Sequence, residues 1–160
     1  MDYKKSRGWR NNNPLNIRRG ERWKGLKVNQ SDPEFCVFED AVWGYRAGAK
    51  VLKSYYRVFR QQGAVYNVEN IIKRWAPANE NNTESYILSV CARTGLDRSA
   101  PLCRPTTPKG AWQMAVLMAA MTCVECGCWW EHVDFYRICL GVYMAYPILI
   151  EDEAVRRIQY

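Results

Sequence analysis

The spacing of apolar residues along the chain predicts a mainly α-helical protein. After Asp40, a good N-cap, apolar residues recur every three or four positions, which is typical of an amphipathic helix that ends before Gly63. A second helix is predicted over 67–76, just ahead of a proline that would stop it. A third is predicted to start with Thr83 as its cap and to end at Gly95.

A fourth predicted helix, apolar on all sides, spans about 108 to 126, between the cap Thr107 and Gly127. Three methionines and Glu125 share one stripe of it, and apolar residues fill the opposite face. We therefore predict that 107–127 forms a buried central helix. Its apolar surroundings and the negative end of its dipole should hold Glu125 protonated, as a general acid requires. The alternative is a Glu that only reaches solvent at a helix end.

The remaining segments are less regular. Residues 7–34 are rich in Asn, Gly and charge and predict an ordered loop with a small β-hairpin, to which a short strand over 35–38 would belong. The apolar run 138–150 predicts a buried final helix kinked at its proline, and 151–160 a short polar helix. Without repeats, linkers or composition breaks, residues 1–160 should form a single domain.

Composition excludes several classes of protein. The chain has 160 residues, 48% of them hydrophobic, which suits one compact core. No apolar run reaches the roughly 18–20 residues of a spanning helix, so we expect no membrane span. The first residues carry charge without an apolar stretch behind it, so we expect no secretory signal and synthesis in the cytoplasm.

The net charge of +7 predicts attraction to a polyanion but does not choose among nucleic acid, anionic lipid and wall polymer. Seven basic residues fall in the first 22 positions, where we expect the field to be strongest; a solvated basic face is the alternative. We identify no helix with an Arg/Lys-rich recognition face, so we expect no specific nucleic-acid partner.

One cluster in the sequence looks suited to a metal. Cys123, Cys126 and Cys128 are followed by His132, the single histidine. A second cysteine pair at zinc-finger spacing is missing, and no phosphate loop or Ser-His-Asp arrangement stands out. We therefore expect neither a metal nor a cofactor, and read the thiols mainly as small core residues.

Several motifs resemble a known family. Residues 7–18 read RGWRNNNPLNIR, followed by Trp-Lys-Gly at 23–25, by 71–77 (IIKRWAP) and by 80–86 (ENNTESY). They resemble a family of phage and prophage proteins, usually labelled virion structural protein, with a lysozyme-like fold and a presumed role in peptidoglycan degradation. The resemblance covers residues 7 to about 96, whereas 129–160 departs from the pattern more strongly.

A second similarity concerns mechanism. Asn16-Ile-Arg, Trp23-x-Gly and the segment 35–38 resemble the stretch that follows the catalytic glutamate of bacterial wall glucosaminidases. The end of the 108–126 helix, Glu125-Cys-Gly, is similar to the Glu-x-Gly helix end of lytic transglycosylases. We therefore hypothesise a circularly permuted lysozyme-like core in which the catalytic helix comes last.

These resemblances imply a candidate site. Glu125 would be the acid/base, and Glu39 the runner-up acid or the second carboxylate of a hydrolase, unless it merely flanks a helix cap. Six residues would bind substrate through amide, hydroxyl or ring contacts: Asn13, Asn16, Trp23, Trp75, Asn81 and Tyr86. Turn chemistry, capping and core packing are the alternatives for them. The permuted core predicts Glu125 at the floor of a cleft lined by Asn16, Trp23 and Tyr86.

Together these features predict a phage protein that binds and cleaves the glycan strands of peptidoglycan. It would be a monomer, without a cofactor, associated with the virion or delivered to the bacterial wall, and able to contact other virion proteins. A non-catalytic virion structural or wall-binding protein with the same fold is the alternative. A basic nucleic-acid-binding protein is the third, favoured only by charge.

Overall fold

The structure, a computed structural model, describes residues 2–146. Helix accounts for 56% and strand for 3%, so the prediction of a mainly α-helical class is confirmed. The α-helices of this part of the chain are α1 (Arg7–Arg10), α2 (Ala41–Gln61), α3 (Val68–Trp75), α4 (Thr83–Thr94), α5 (Pro108–Cys126) and α6 (Phe135–Ala145), with 3-10 turns at Tyr3–Lys5 and Trp130–His132.

Local signals set most of the helix ends. The Thr107 hydroxyl accepts the Gly110 N–H in the first turn of α5 at 3.1 Å, and Gly95 and Gly127 end α4 and α5 with φ of 69° and 62°. Such left-handed conformations favour glycine because it has no Cβ. The predicted cap of α4 is wrong by one position, because the Asn82 side chain caps the helix and Thr83 is its first residue.

Helix α5 lies in the centre of one contiguous core formed with α2, α3, α4 and α6. Leu117, Met118 and Met121 are fully buried, which agrees with the predicted central helix. Helix α5 is not buried on all sides, however, since Trp112 in its first half is 58% exposed. Helices α2 and α6 approach most closely at Gly141, where any Cβ would lie only 2.9 Å from the backbone N of Arg46.

The predicted small β-hairpin is wrong. Residues 2–146 contain no sheet, only two isolated antiparallel bridges, Arg18 with Phe35 and Leu26 with Phe38. Side chains take the place of a neighbouring strand: the Gln30 amide donates to the Val37 carbonyl at 2.7 Å and accepts the Val37 N–H at 2.8 Å. Backbone groups that are hydrogen-bonded by a side chain in this way do not need the hydrogen bonds of a neighbouring β-strand.

The last described helix differs from its prediction. Asp134 caps α6, so the helix begins at Phe135, three residues before the predicted start, and it ends at Ala145. The predicted kink and the polar helix over 151–160 lie outside the described residues. Between residues 2 and 146, no helix combines the length and the apolar character needed to cross a membrane.

Candidate active site

Three side chains from distant parts of the sequence donate hydrogen bonds to the carboxylate of Glu125. The Asn16 amide reaches Oε2 at 2.8 Å. The Trp75 indole N–H and the Tyr86 hydroxyl both reach Oε1, at 3.0 and 2.9 Å. The last turn of α5 therefore presents a partly buried carboxyl group whose two oxygens differ, since Oε1 has two donors and Oε2 has one.

The asparagine-rich segment after α1 positions Asn16. The fully buried Asn13 side chain accepts the Ile17 N–H at 2.8 Å and donates to the carbonyls of Ile17 and Cys36, both at 2.9 Å. This clamp fixes a tight turn in which Asn16 adopts a left-handed φ of 49°, a conformation that asparagine tolerates. Asn13 therefore supports the turn from inside the protein and is not exposed to a ligand.

The connection between α3 and α4 positions the other two donors. Trp75 is the last residue of α3, and Tyr86 lies in the first half of α4. The buried Thr83 hydroxyl donates to the Ala76 carbonyl and so ties the start of α4 to the end of α3. The two rings converge on one oxygen of Glu125 because these helix ends are joined in this way.

A groove with a cavity volume of about 260 Å³ lies next to two of the donors to Glu125, and neither Glu125 nor Tyr86 is among its lining residues. Asn16 and Trp75, two of the three donors to Glu125, line it. Its other lining residues are Ile17, Arg18, Glu21, Trp23, Val51 and Tyr55. Polar side chains and aromatic rings thus lie side by side next to a titratable group, as polar ligands with apolar faces require.

The hydrogen bonds bear on the charge states within the site. Burial, followed by the Glu125 charge, raises the pKa of Tyr86 well above its usual value, so its hydroxyl stays a donor. Oδ1 of Asn16 is buried and has no partner. A half-turn of this amide would offer an acceptor to a proton on Oε2.

The other predicted site residues lie in different surroundings. Trp23 lines the groove with a buried indole N–H that has no hydrogen-bond partner. Asn81 is exposed in the α3–α4 connection, where its amide donates to the Pro77 carbonyl at 3.4 Å, and it does not line the groove. Glu39 is exposed beside the α2 cap and makes no hydrogen bond to Glu125. The groove carboxylate is instead Glu21, which the sequence prediction missed.

The basic residues are arranged differently from the prediction. Near the N-terminus, Arg7 pairs with Asp32 and Glu34, and Arg18 lies 3.6 Å from Glu80, so carboxylates offset part of the expected field. Helix α2, in contrast, carries basic residues at positions 46, 50, 53, 57 and 60. This spacing of four and three places them on one face, so the prediction that no helix has a basic face is wrong. The signal was present in the sequence.

The cysteine cluster is a packing feature of the α5 C-terminus. Cys123, Cys126 and Cys128 are buried together against Tyr3 and Val133, and all three are free thiols. A hydrogen bond from Cys128 lowers the pKa of Cys123 to about 7, and burial raises that of Cys126 to about 11. Across residues 2–146, no group of three His, Cys, Asp or Glu side chains is arranged to hold a metal ion.

The chain is similar to a phage protein. It is 42% identical over 107 residues to Protein P5 of Pseudoalteromonas phage PM2, an alignment that covers 64% of this chain. The chain thus spans 64% of the length of that relative. No family model matches the chain.

Proposed function

We propose that the chain is a phage peptidoglycan-degrading protein that cleaves glycan strands with Glu125 as its acid/base, in the manner of a lytic transglycosylase. The observation that carries this proposal is the convergence of Asn16, Trp75 and Tyr86 on Glu125 beside the groove. All three side chains precede α5 in the sequence. This order agrees with a permuted lysozyme-like core, in which the helix bearing the acid follows the rest of the site.

We infer that the transferable proton is carried on one particular oxygen of Glu125. Trp75 and Tyr86 occupy Oε1, and both are donors, so the proton would be carried on Oε2. Asn16 would then turn its unpaired Oδ1 toward this proton. The same amide could therefore hold Glu125 in its protonated and ionised forms, which a group that gives and then takes a proton requires.

The proposed reaction needs only this carboxyl group. Glu125 gives its proton to the glycosidic oxygen as the bond from that oxygen to the sugar C1 breaks. The ionised Glu125 then takes the proton of the same sugar's C6 hydroxyl, whose oxygen attacks C1 and closes an anhydro ring. No water is consumed. Hydrolysis would instead require water and commonly a second carboxylate, for which Glu21 is better placed than Glu39.

The groove offers contacts suited to an amino-sugar chain. Trp23, Tyr55 and Trp75 supply ring surfaces for sugar faces, and Arg18 and Glu21 supply polar edges for hydroxyl and acetamido groups. Because the groove is open to solvent, it suits a polymer chain that runs along it better than a small ligand that is fully enclosed.

Digestion of purified peptidoglycan sacculi, followed by mass spectrometry of the products, tests the proposal. We expect soluble fragments that end in anhydro sugars, and their loss in Glu125→Gln. Glu131→Gln is the matched control, because the Glu131 side chain is 80% exposed near the same helix end. Glu39→Gln and Glu21→Gln should both retain anhydro products.

Other outcomes would change the assignment. Reducing-end products that contain an added water and disappear in Glu21→Gln would indicate a two-carboxylate hydrolase. A parent protein that binds sacculi without releasing fragments would indicate the non-catalytic wall-binding alternative.

A further inference from the structure

Helix α2 carries a row of basic residues along one face. Arg46, Lys50, Lys53, Arg57 and Arg60 follow one another at intervals of four, three, four and three residues. At 1.5 Å per residue this row is about 21 Å long, with a charge about every 5 Å. We call it the α2 basic stripe.

The α2 basic stripe lies away from the groove beside Glu125. Val51 and Tyr55 of α2 line that groove. At 100° per residue, the stripe is centred roughly 160° around the helix from them. Helix α2 therefore separates two surfaces, and the stripe does not belong to the proposed active site.

A cavity of about 500 Å³ opens at the C-terminal half of the stripe. Four cations line it: Lys53, Arg57 and Arg60 of the stripe, and Arg104 from the loop before α5. Its other lining residues are Tyr56, Gln61, Pro105 and Thr106, so no carboxylate from residues 2–146 contributes to the walls. Most of the wall is apolar, which gives the cavity both a charged rim and surface for a flat ring.

These cations lack counter-charges in the described structure. Within residues 2–146, no carboxylate forms an ion pair with a residue of the stripe or with Arg104. Desolvation, followed by the neighbouring Arg46, Lys53 and Lys24 charges, lowers the pKa of Lys50. Six like charges held on a rigid helix and an adjoining loop repel one another, and a polyanion would relieve that repulsion.

We propose that the α2 basic stripe binds the phosphodiester backbone of single-stranded nucleic acid without sequence preference, with an unpaired base in the cavity beside Tyr56. Successive phosphates of one strand are roughly 3.4 Å apart along a duplex and further apart in an extended strand, which matches the spacing of the stripe. Arginine, which provides three of the four cavity cations, binds phosphate through a planar pair of donors. A cationic groove with an aromatic side chain is the usual design for single strands.

A membrane surface fits these observations less well. Peripheral helices insert exposed apolar side chains next to their basic residues. Between residues 2 and 146, the large exposed apolar side chains include Trp112, Trp129 and Tyr136, and none of them lines this cavity.

Fluorescence anisotropy with a labelled oligothymidylate of about 20 nucleotides tests the proposal on the full chain. Six phosphate contacts predict a slope of about −4 for log K against log salt, so affinity should fall roughly 300-fold between 50 and 200 mM salt. In the triple variant Arg57→Gln, Arg60→Gln, Arg104→Gln, the slope should drop to about −2.

A charge-matched control separates the stripe from the net charge. Lys5→Gln, Arg22→Gln, Lys27→Gln removes three exposed cations away from the cavity and should leave the slope near that of the parent. Glu125→Gln should bind as the parent does, so the result is independent of wall cleavage. Circular dichroism of each variant verifies its fold.

Three results would overturn the proposal. The first is a slope of log K against log salt near zero for the unmodified protein, a result that can be read without any variant. The second is an equal loss of binding in the triple variant and its control, because that would assign binding to net charge. The third is binding to duplex DNA of equal length, or to phosphatidylglycerol vesicles at equal phosphate concentration, that is tighter than binding to the oligothymidylate and is lost in the triple variant.

Discussion

Replacing Glu125 separates its chemical role from its structural one. In Glu125→Gln the carbonyl oxygen can still accept from Trp75 and Tyr86. The new NH₂ would face Asn16, whose amide can turn to present the Oδ1 that now has no partner. All three hydrogen bonds are then kept, although they lose their charge assistance. We expect the free energy of unfolding to fall by only about 1 kcal/mol, because the neutral amide is also less costly to bury.

Glu125→Ala should behave differently. It removes the acceptor from all three donors, and Tyr86 is only 6% exposed, so water cannot easily replace the lost partner. A buried unsatisfied group costs about 1–3 kcal/mol. With smaller losses at the half-buried Asn16 and Trp75, we expect Glu125→Ala to lower the free energy of unfolding by about 2–4 kcal/mol.

Urea unfolding followed by circular dichroism measures both stability changes, and release of dye from labelled sacculi measures activity. Both variants should lose at least about a hundredfold in cleavage rate, the scale of general acid catalysis. Equal and large destabilisation by Gln and Ala would refute the proposed turn of the Asn16 amide. Full cleavage by Glu125→Gln with a normal fold would refute the acid/base role.

Three further variants test neighbouring parts of the structure. Tyr86→Phe removes one donor to Glu125 and should slow sacculus cleavage about tenfold, for a lost bond of about 1.5 kcal/mol; an unchanged rate would contradict this. Hydrogen bonds from the Asn11 amide and then the Phe35 N–H lower the pKa of Asp32 to about 2. The ionised Asp32 therefore stabilises the fold above about pH 4, and this contribution disappears as pH falls toward 2. Urea unfolding should therefore show Asp32→Ala less stable by about 1–2 kcal/mol at pH 7, with the difference shrinking in acid; a constant difference would argue against this. Gly141→Ala should cost about 1–3 kcal/mol, because its Cβ would meet the α2 backbone, and an unchanged midpoint of thermal unfolding would be inconsistent with that packing.

The sequence by itself determined the helices, because their signals are local. An N-cap such as Thr107 and a C-terminal glycine such as Gly127 each act within one turn of the helix end that they set. The spacing of apolar residues marks the buried face of each helix. The basic row on α2 is equally local and was readable from its spacing alone. Glu125 could be singled out because it is the single charge between Ala111 and Cys126 in a mainly apolar helix.

Tertiary structure decided what surrounds that carboxyl group. Asn16, Trp75 and Tyr86 lie 109, 50 and 39 residues before Glu125, and no periodicity relates such distances. Resemblance to other proteins suggested these residues and a cleft shared by Glu125, Asn16 and Tyr86, but it gave none of the hydrogen bonds among them.

The loop residues depended most on packing. The sequence did not distinguish the buried Asn13, which holds the turn, from Asn16, which donates to Glu125. Both belong to one polar run, and only the path of the loop gives them different roles. The same path turned Glu21, rather than Glu39, toward the groove. It also replaced the predicted hairpin with side-chain hydrogen bonds from Gln30, since a loop without a partner strand must satisfy its backbone by other means.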